Sequence, residues 1–492
     1  MRKSSIFHYN LFKKCHKKLT NIEKKKGPFF RTLSGLWLTN LVQKKINVPE
    51  KICREGLATM KPEITSRETI KPSSPTPNSQ RWYKLSVFDQ MSYGMYIPII
   101  LFYTSNGDDN PVDFSHRLSG LKKSLSETLT RYYPLAGRIG DGGSIECNDK
   151  GVDFFEARMH CHLQGFLNHP EFEALNLLAQ GQIQCNNLDL SSTLIVQITF
   201  FDCGGMAIGV SMSHKVADIS SMSAFLNDWA TMARQSGEEE ISAQFITSFF
   251  PPHDSLDIPE YVPRKINRVV RRFVFNASKL DALKTLATSH GVENPTRVQV
   301  VTALLYKCAD AASRAVSDSP RASDLVQMVN LRRLVIPPLP DKSFGNLVWC
   351  FSISATEEGE VEFHDLVAQL KGGIAGFRLT YGISFSWYEL SRLVSEFRKA
   401  SASSFKRKGN MVRFTCTSWC RSPLYQVDFG WGKPVWISCT NVMWNTFILM
   451  DTRNGDGIEA LVSLEEQNMN VFEHDEELLR FASLNPNAFE AP

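Results

Sequence analysis

Apolar positions along this chain either recur at helical spacing or gather into short β-forming runs, and these two patterns assign the elements. Leu118, Leu121, Leu125 and Leu129 share one face of a helix that ends at Tyr132-Tyr133-Pro134, where proline cannot continue it. Met222, Phe225, Leu226 and Trp229 give a second helix over Ile219–Ala230. Leu194–Phe201 is rich in Ile, Val, Thr and Phe and reads as a strand. Asp202-Cys203-Gly204-Gly205 turns the chain, and Met206–Met212 returns as a second strand of a hairpin. Ile99–Tyr103 reads as a buried strand, and Leu135–Ile139 starts another. Further on, Arg272–Phe275, Asn346–Ile353, Val435–Cys439, Phe447–Met450 and Ile458–Val462 read as strands. Ser278–His290, Thr296–Ser313 and Leu464–Phe481 read as helices. Helices and strands mix in both halves without strict alternation, so the fold class is α+β with two domains.

The domain boundaries follow from composition. Residues 232–268, with Pro251-Pro252, Pro259 and Pro263, read as a crossover linker between a domain at 60–231 and one at 269–492. Residues 1–59 stand apart. They hold 11 Lys and 3 Arg against 3 Glu, a net +11 in a chain whose total is +4, so residues 60–492 carry −7. A transit peptide or a membrane-surface helix is one reading of this basic extension; a disordered tail outside the fold is the other. The acidic body argues against a nucleic-acid partner. Eleven scattered Cys form neither a disulfide framework nor a zinc pattern, and no apolar run is long enough to span a membrane. A cytoplasmic monomer without metal is the expectation. The overall 43% hydrophobic and 22% charged content suits a folded body of ordinary solubility.

Two motifs carry chemistry. His214-Lys215-Val216-Ala217-Asp218 is an H-x-x-x-D pentad, a pattern that arises readily by chance. His253-Asp254-Ser255-Leu256-Asp257 matches it too, but in the linker, where nothing is expected to hold its ring. His214 instead lies between a buried strand and a helix, a position that can fix an imidazole. Asp428-Phe429-Gly430-Trp431-Gly432 is far more specific; its glycines permit a tight aromatic turn.

With about 210 residues between them, these motifs make the chain resemble the plant BAHD acyl-CoA-dependent acyltransferases. Ile70–Pro77, Tyr133–Arg138, Asn330-Leu331-Arg332, Phe344-Gly345-Asn346 and Thr417-Ser418-Trp419 extend the resemblance from about Lys61 to Phe481. Within the family it is similar to the branch of vinorine synthase and the deacetylvindoline and limonoid O-acetyltransferases. Two departures stand out: Ile219 where many members have Gly, and Ser343 and Leu347 where Tyr and Cys are frequent.

The resemblance implies two chloramphenicol-acetyltransferase-like domains with a channel at their interface. It implies acetyl-CoA as co-substrate, with no permanently bound cofactor, and a polycyclic terpenoid or alkaloid alcohol as acceptor. His214 would be the general base, with Thr417 and Trp419 at the oxyanion. Asp218 and Arg332 would pair as structural support; Asp428, Gly430 and Gly432 would be structural as well. A neutral imidazole suits proton removal from an alcohol near neutral pH. Gly209-Val210-Ser211-Met212-Ser213 lacks the last glycine of a serine-nucleophile elbow, so direct attack is expected. The alternatives are another acyl donor or acceptor, or a non-catalytic metabolite-binding relative.

Overall fold

A computed structural model describes residues 61–105, 111–140, 143–181, 192–234, 243–253, 267–317, 321–335, 338–340, 342–355, 361–381, 392, 395 and 411–489. The basic extension and most of the expected linker lie outside these residues. Residues 60–492 form one compact unit.

Two large sheets organise that unit. The first contains β1 (Glu63–Ile70), β2 (Tyr96–Tyr103), β3 (Val152–Met159), β4 (Leu194–Phe201) and β5 (Met206–Ser213). The second contains β6 (Arg268–Phe275), β7 (Ser323–Asn330), β8 (Val348–Ala355) and β9 (Val412–Ser418). Chain order then yields β10 (Trp436–Cys439), β11 (Thr446–Asp451), β12 (Ile458–Glu465) and β13 (Ser483–Leu484). The second sheet runs β8-β7-β9-β11-β12-β6-β13. The first runs β1-β3-β4-β5-β2-β10, so it is completed by a strand from the C-terminal half. There Trp436 faces Phe102 and Cys439 faces Ile99 in antiparallel register. This crossing strand ties the two halves together.

Helix α1 is short, Val87–Met91, and opens on a capping box. Ser86 Oγ accepts from the Asp89 N–H, and the Asp89 carboxylate accepts from the Ser86 N–H. Helices α2 (Pro111–Arg131) and α3 (Ile219–Arg234) share one apolar cluster with the first sheet. Leu121, Leu125 and Leu129 of α2 are fully buried there with Phe225, Leu226 and Trp229 of α3. Burying each leucine stabilises the fold by about 1.5–3 kcal/mol. Helices α4 (Ala277–Ser289), α5 (Arg297–Ala315) and α6 (Phe363–Tyr381) pack a second core with one face of the second sheet.

Strand periodicity sets which face each residue of that sheet shows. On β9, Phe414 and Cys416 join the helix-side core, which leaves Thr415 and Thr417 on the other face. On β12, Ala460 and Val462 lie helix-side while Leu461 belongs to the first cluster. The first cluster therefore draws residues from both sheets.

Two expectations are corrected. Leu464–Phe481 is no single helix: β12 continues to Glu465 because Leu464 pairs with Val269 and is buried in the second core. Two short helices follow, α7 (Glu466–Phe472) and α8 (Glu476–Phe481), the second capped by Asp475. Leu135 is not in a strand, since Tyr133–Ala136 forms a 3-10 turn before the strand Arg138–Gly140. In the linker, Gln244–Phe245 pairs in parallel with Ser343–Phe344.

Candidate active site

The His214–Asp218 segment leaves the end of β5 and enters α3. Ser213 pairs with Tyr96 at the start of β2, and the His214 N–H donates to the Met95 carbonyl at 2.7 Å. At the other end, Asp218 caps α3, accepting from the Ser221 N–H at 2.9 Å. Four residues are thus pinned between a strand end and a helix start, with Val216 and Ala217 buried in the first cluster.

Asp218 and Arg332 form a two-pronged ion pair. Arg332 Nη1 donates to Oδ2 at 2.7 Å and Nη2 to Oδ1 at 2.9 Å. Both are almost completely buried, at 2% and 1% exposure. The remaining guanidinium donors reach the Ser343 and Gly345 carbonyls and Ser221 Oγ, and the Leu347 N–H donates to Asp218 Oδ2. Burial raises the Asp218 carboxyl pKa, but the Arg332 charge and these donors outweigh it and hold it below its ordinary value. The carboxylate points into this web, which braces the His214 segment against the 343–347 loop.

That loop brings up Asn346, whose Oδ1 is 2.9 Å from His214 Nδ1. Asn346 Nδ2 donates to the His214 carbonyl at 2.7 Å and to Asp89 Oδ1 at 2.9 Å, and its N–H donates to the same oxygen at 2.7 Å. Gly345 makes the approach possible: its φ is +137°, and a Cβ there would sit 2.5 Å from the Ile246 side chain. The His214 ring is half-buried; enclosure disfavours its charged form and lowers its pKa. A neutral imidazole results.

Asn346 and Asp89 had no role in the sequence reading. Phe344-Gly345-Asn346 was visible as a motif, but nothing in its composition tells what a buried amide will touch. Asp89 carried no signal at all.

The other expected residues lie elsewhere. Thr417 is the penultimate residue of β9, on the face turned away from the helices, and Trp419 is buried in the first cluster with its backbone N–H on the Leu449 carbonyl. Neither is hydrogen-bonded to His214. Asp428 belongs to a separate turn. Its Oδ1 accepts from the Gly430 and Gly432 N–H groups at 2.8 and 3.0 Å. Those glycines adopt φ of +109° and +103°. Phe429 packs edge-on against Trp229 and stacks on Trp431, and Arg117 covers the Trp431 face. His253 donates its backbone N–H to Gln90 Oε1 at 2.9 Å; Asp257 lies outside the described residues. Among the described residues, no cluster of three His, Cys, Asp or Glu could hold a metal, and no helix is long and apolar enough to cross a membrane.

Two sheets in one unit, with a braced neutral histidine where their loops meet, define a transferase of the chloramphenicol-acetyltransferase-like class. A family model described as the Transferase family matches residues 60–479; the chain belongs to that family, the BAHD acyltransferases, and is an acyl-CoA-dependent acyltransferase. It is 42% identical over 441 residues to a 17,18-epoxy-17-hydroxycur-19-ene N-malonyltransferase of Strychnos nux-vomica, covering 89% of this chain and 94% of that protein. Stemmadenine O-acetyltransferase of Catharanthus roseus is 38% identical over 427 residues, covering 84% and 96%. The crystal structure of vinorine synthase superposes with a TM-score of 0.75 at 35% identity, covering 87% of this chain and all of that one.

Proposed function

We propose that this enzyme moves an acetyl group from acetyl-CoA to a hydroxyl of a polycyclic plant specialised metabolite, an indole alkaloid or a terpenoid such as a limonoid. His214 is the general base in this reading. The observation that carries it is the ring itself: neutral, gripped at Nδ1 by Asn346, and braced through the Asp218–Arg332 pair. The acceptor hydroxyl gives its proton to His214 as its oxygen attacks the thioester carbonyl. The tetrahedral intermediate then collapses, the C–S bond breaks, and the CoA thiolate takes the proton back from the imidazolium.

The Trp419 indole N–H and the Thr417 hydroxyl serve the oxyanion in this reading. Neither has a protein partner among the described residues, so both remain available to donate. Such a donor contributes roughly 3–4 kcal/mol to lowering the barrier. Acyl-CoA and acceptor approach from opposite ends of a channel between the two domains, taken as 60–231 and 269–492 with 232–268 as linker. The enzyme acts as a cytoplasmic monomer.

A second reading has a specific motive. One relative at 42% identity is named an N-malonyltransferase, which makes malonyl-CoA the alternative donor and an amine the alternative acceptor. One assay separates the readings and tests the base. The protein is incubated with acetyl-CoA or malonyl-CoA and a panel of alkaloid and limonoid alcohols and amines. Free thiol and product mass are followed. Acceptor-dependent acetyl transfer is expected, reduced about 10²–10⁴-fold in His214→Ala with an unchanged melting temperature. Wild-type turnover in His214→Ala would remove the base; preference for malonyl-CoA would replace the donor.

A further inference from the structure

The hydrogen bonds around Asn346 settle which nitrogen of His214 carries the proton. The Asn346 NH2 group has two protons, and each has an acceptor: Asp89 Oδ1 at 2.9 Å and the His214 carbonyl at 2.7 Å. Its amide oxygen is therefore the atom facing His214 Nδ1 at 2.9 Å. A carbonyl oxygen only accepts, so Nδ1 is the protonated nitrogen and Nε2 keeps the lone pair.

The arrangement would be ambiguous without a reference, because an amide can turn end for end. Asp89 supplies that reference. It is fully buried, and its carboxylate accepts four bonds: Oδ2 from the Ser86 N–H and Oγ, and Oδ1 from the N–H and NH2 of Asn346. A turned amide would place its oxygen against both the Asp89 carboxylate and the His214 carbonyl. It would also point the NH2 at Nδ1 and favour the other tautomer. Burial pushes the Asp89 carboxyl up to about 6 against the pull of its donors, which leaves it ionised at neutral pH.

We propose that Asp89 is a positioning residue of the reaction: by accepting both N–H groups of Asn346 it fixes that amide, and through it holds His214 in the Nδ1–H tautomer with Nε2 as the base. The inference rests on the reading of His214 as base. It adds a residue of α1 to the machinery, one that touches neither the histidine nor any reacting atom.

Asp89→Asn separates this role from simple support. An asparagine at 89 must turn its own NH2 either on the Ser86 N–H or on the Asn346 N–H. Either choice sets one donor against another, so only the His214 carbonyl still favours the original end of the Asn346 amide and its preference weakens. The histidine-labelled protein, with the His214 signal assigned by its disappearance in His214→Ala, reports the tautomer through 15N shifts. Wild type is expected to show Nδ1–H and a bare Nε2. Asp89→Asn is expected to show a mixture, with kcat down ~10-fold and KM for acyl-CoA within about twofold, the scale of one lost polar contact in the transition state. Ser86→Ala keeps both Asp89–Asn346 bonds, so it should lower the melting temperature without moving the tautomer. Nε2–H in wild type overturns the proposal even where the Asp89 variant does not fold, and so does an Asp89→Asn protein with wild-type tautomer and kcat. The spectrum needs no turnover, so failure of the base reading, seen as activity surviving in His214→Ala, stays distinguishable from failure of this one.

Discussion

The His214–Asp218 segment and the Asp428–Gly432 turn are both five residues long and both contain an aspartate, yet they are held by opposite means. Asp218 is locked by a buried cation 114 positions away, and Asn346 reaches Asp89 across 257 positions. The Asp428 carboxylate accepts from neighbours two and four residues on, and only its backbone carbonyl takes a distant donor, Arg234 Nη1. The first segment is a meeting point of distant parts of the chain, where His214 and Asp218 are held by buried partners that only the fold brings to them. The second is a local turn whose shape comes from two positive-φ glycines and stacked rings. A short motif can thus mark either a place where chemistry is assembled or a place where backbone shape is required, and the range over which its aspartate side chain is bonded tells the two apart.

The largest test of that contrast falls on the ion pair. Removing either Asp218 or Arg332 leaves a lone charge in a dry interior, costing about 3–5 kcal/mol, while removing both leaves none. Asp218→Ala and Arg332→Ala should each lose thermal stability and turnover together, and the double variant should be less damaged than the singles combined. Melting temperatures and turnover in a double-mutant cycle decide it. Additive losses, or an Asp218 variant of full stability with no turnover, would give the carboxylate a direct chemical role. The pH dependence has a definite sign. The folded pKa of Asp218 lies below its ordinary 3.8, so the pair's contribution is present above that value and is lost as pH falls through the lowered one. The double variant should therefore show a flatter acid limb of stability than wild type.

A smaller effect is expected at the turn. Nothing lies within 4 Å of a Cβ added at Gly432, and only Arg234 Cγ at 3.7 Å meets one at Gly430. An alanine there meets no steric obstacle, so its whole cost is backbone strain, about 1–3 kcal/mol at each position. Gly430→Ala and Gly432→Ala should lower the melting temperature and leave kcat of the remaining folded enzyme near wild type. A large loss of kcat at full stability would place the turn in the chemistry and end the contrast.

What the sequence could disclose follows the same division between local and distant. Strands β4 and β5 were legible from runs of β-forming residues on either side of a glycine turn, and helix α3 from its period, all signals that lie within a few residues. His214, Asp218 and Arg332 were legible through motif and resemblance. Strand β10 was read as a strand, but its place in the first sheet was not, since its partner β2 lies at the other end of the chain. Strand β1 escaped notice because Glu63–Ile70 is almost wholly polar and exposed, with no apolar alternation to reveal it. Asp89 gave no signal in the sequence, because only the fold brings Asn346 to it.

The smallest expected effect is at the second pentad. His253 has the right spacing to Asp257, so a motif search alone ranks it equal to His214. Its backbone N–H donates to Gln90 Oε1, a contact that any non-proline residue supplies. His214 instead uses its ring nitrogen on a buried amide that is itself oriented by a carboxylate. His253→Ala keeps this backbone bond at a half-buried position of the linker, so stability should change by no more than about 0.5 kcal/mol. Acyl transfer should match wild type across the pH range. Steady-state kinetics on His253→Ala beside His214→Ala make the comparison directly. Comparable losses in both would mean that spacing, and not the surrounding web, selects the base.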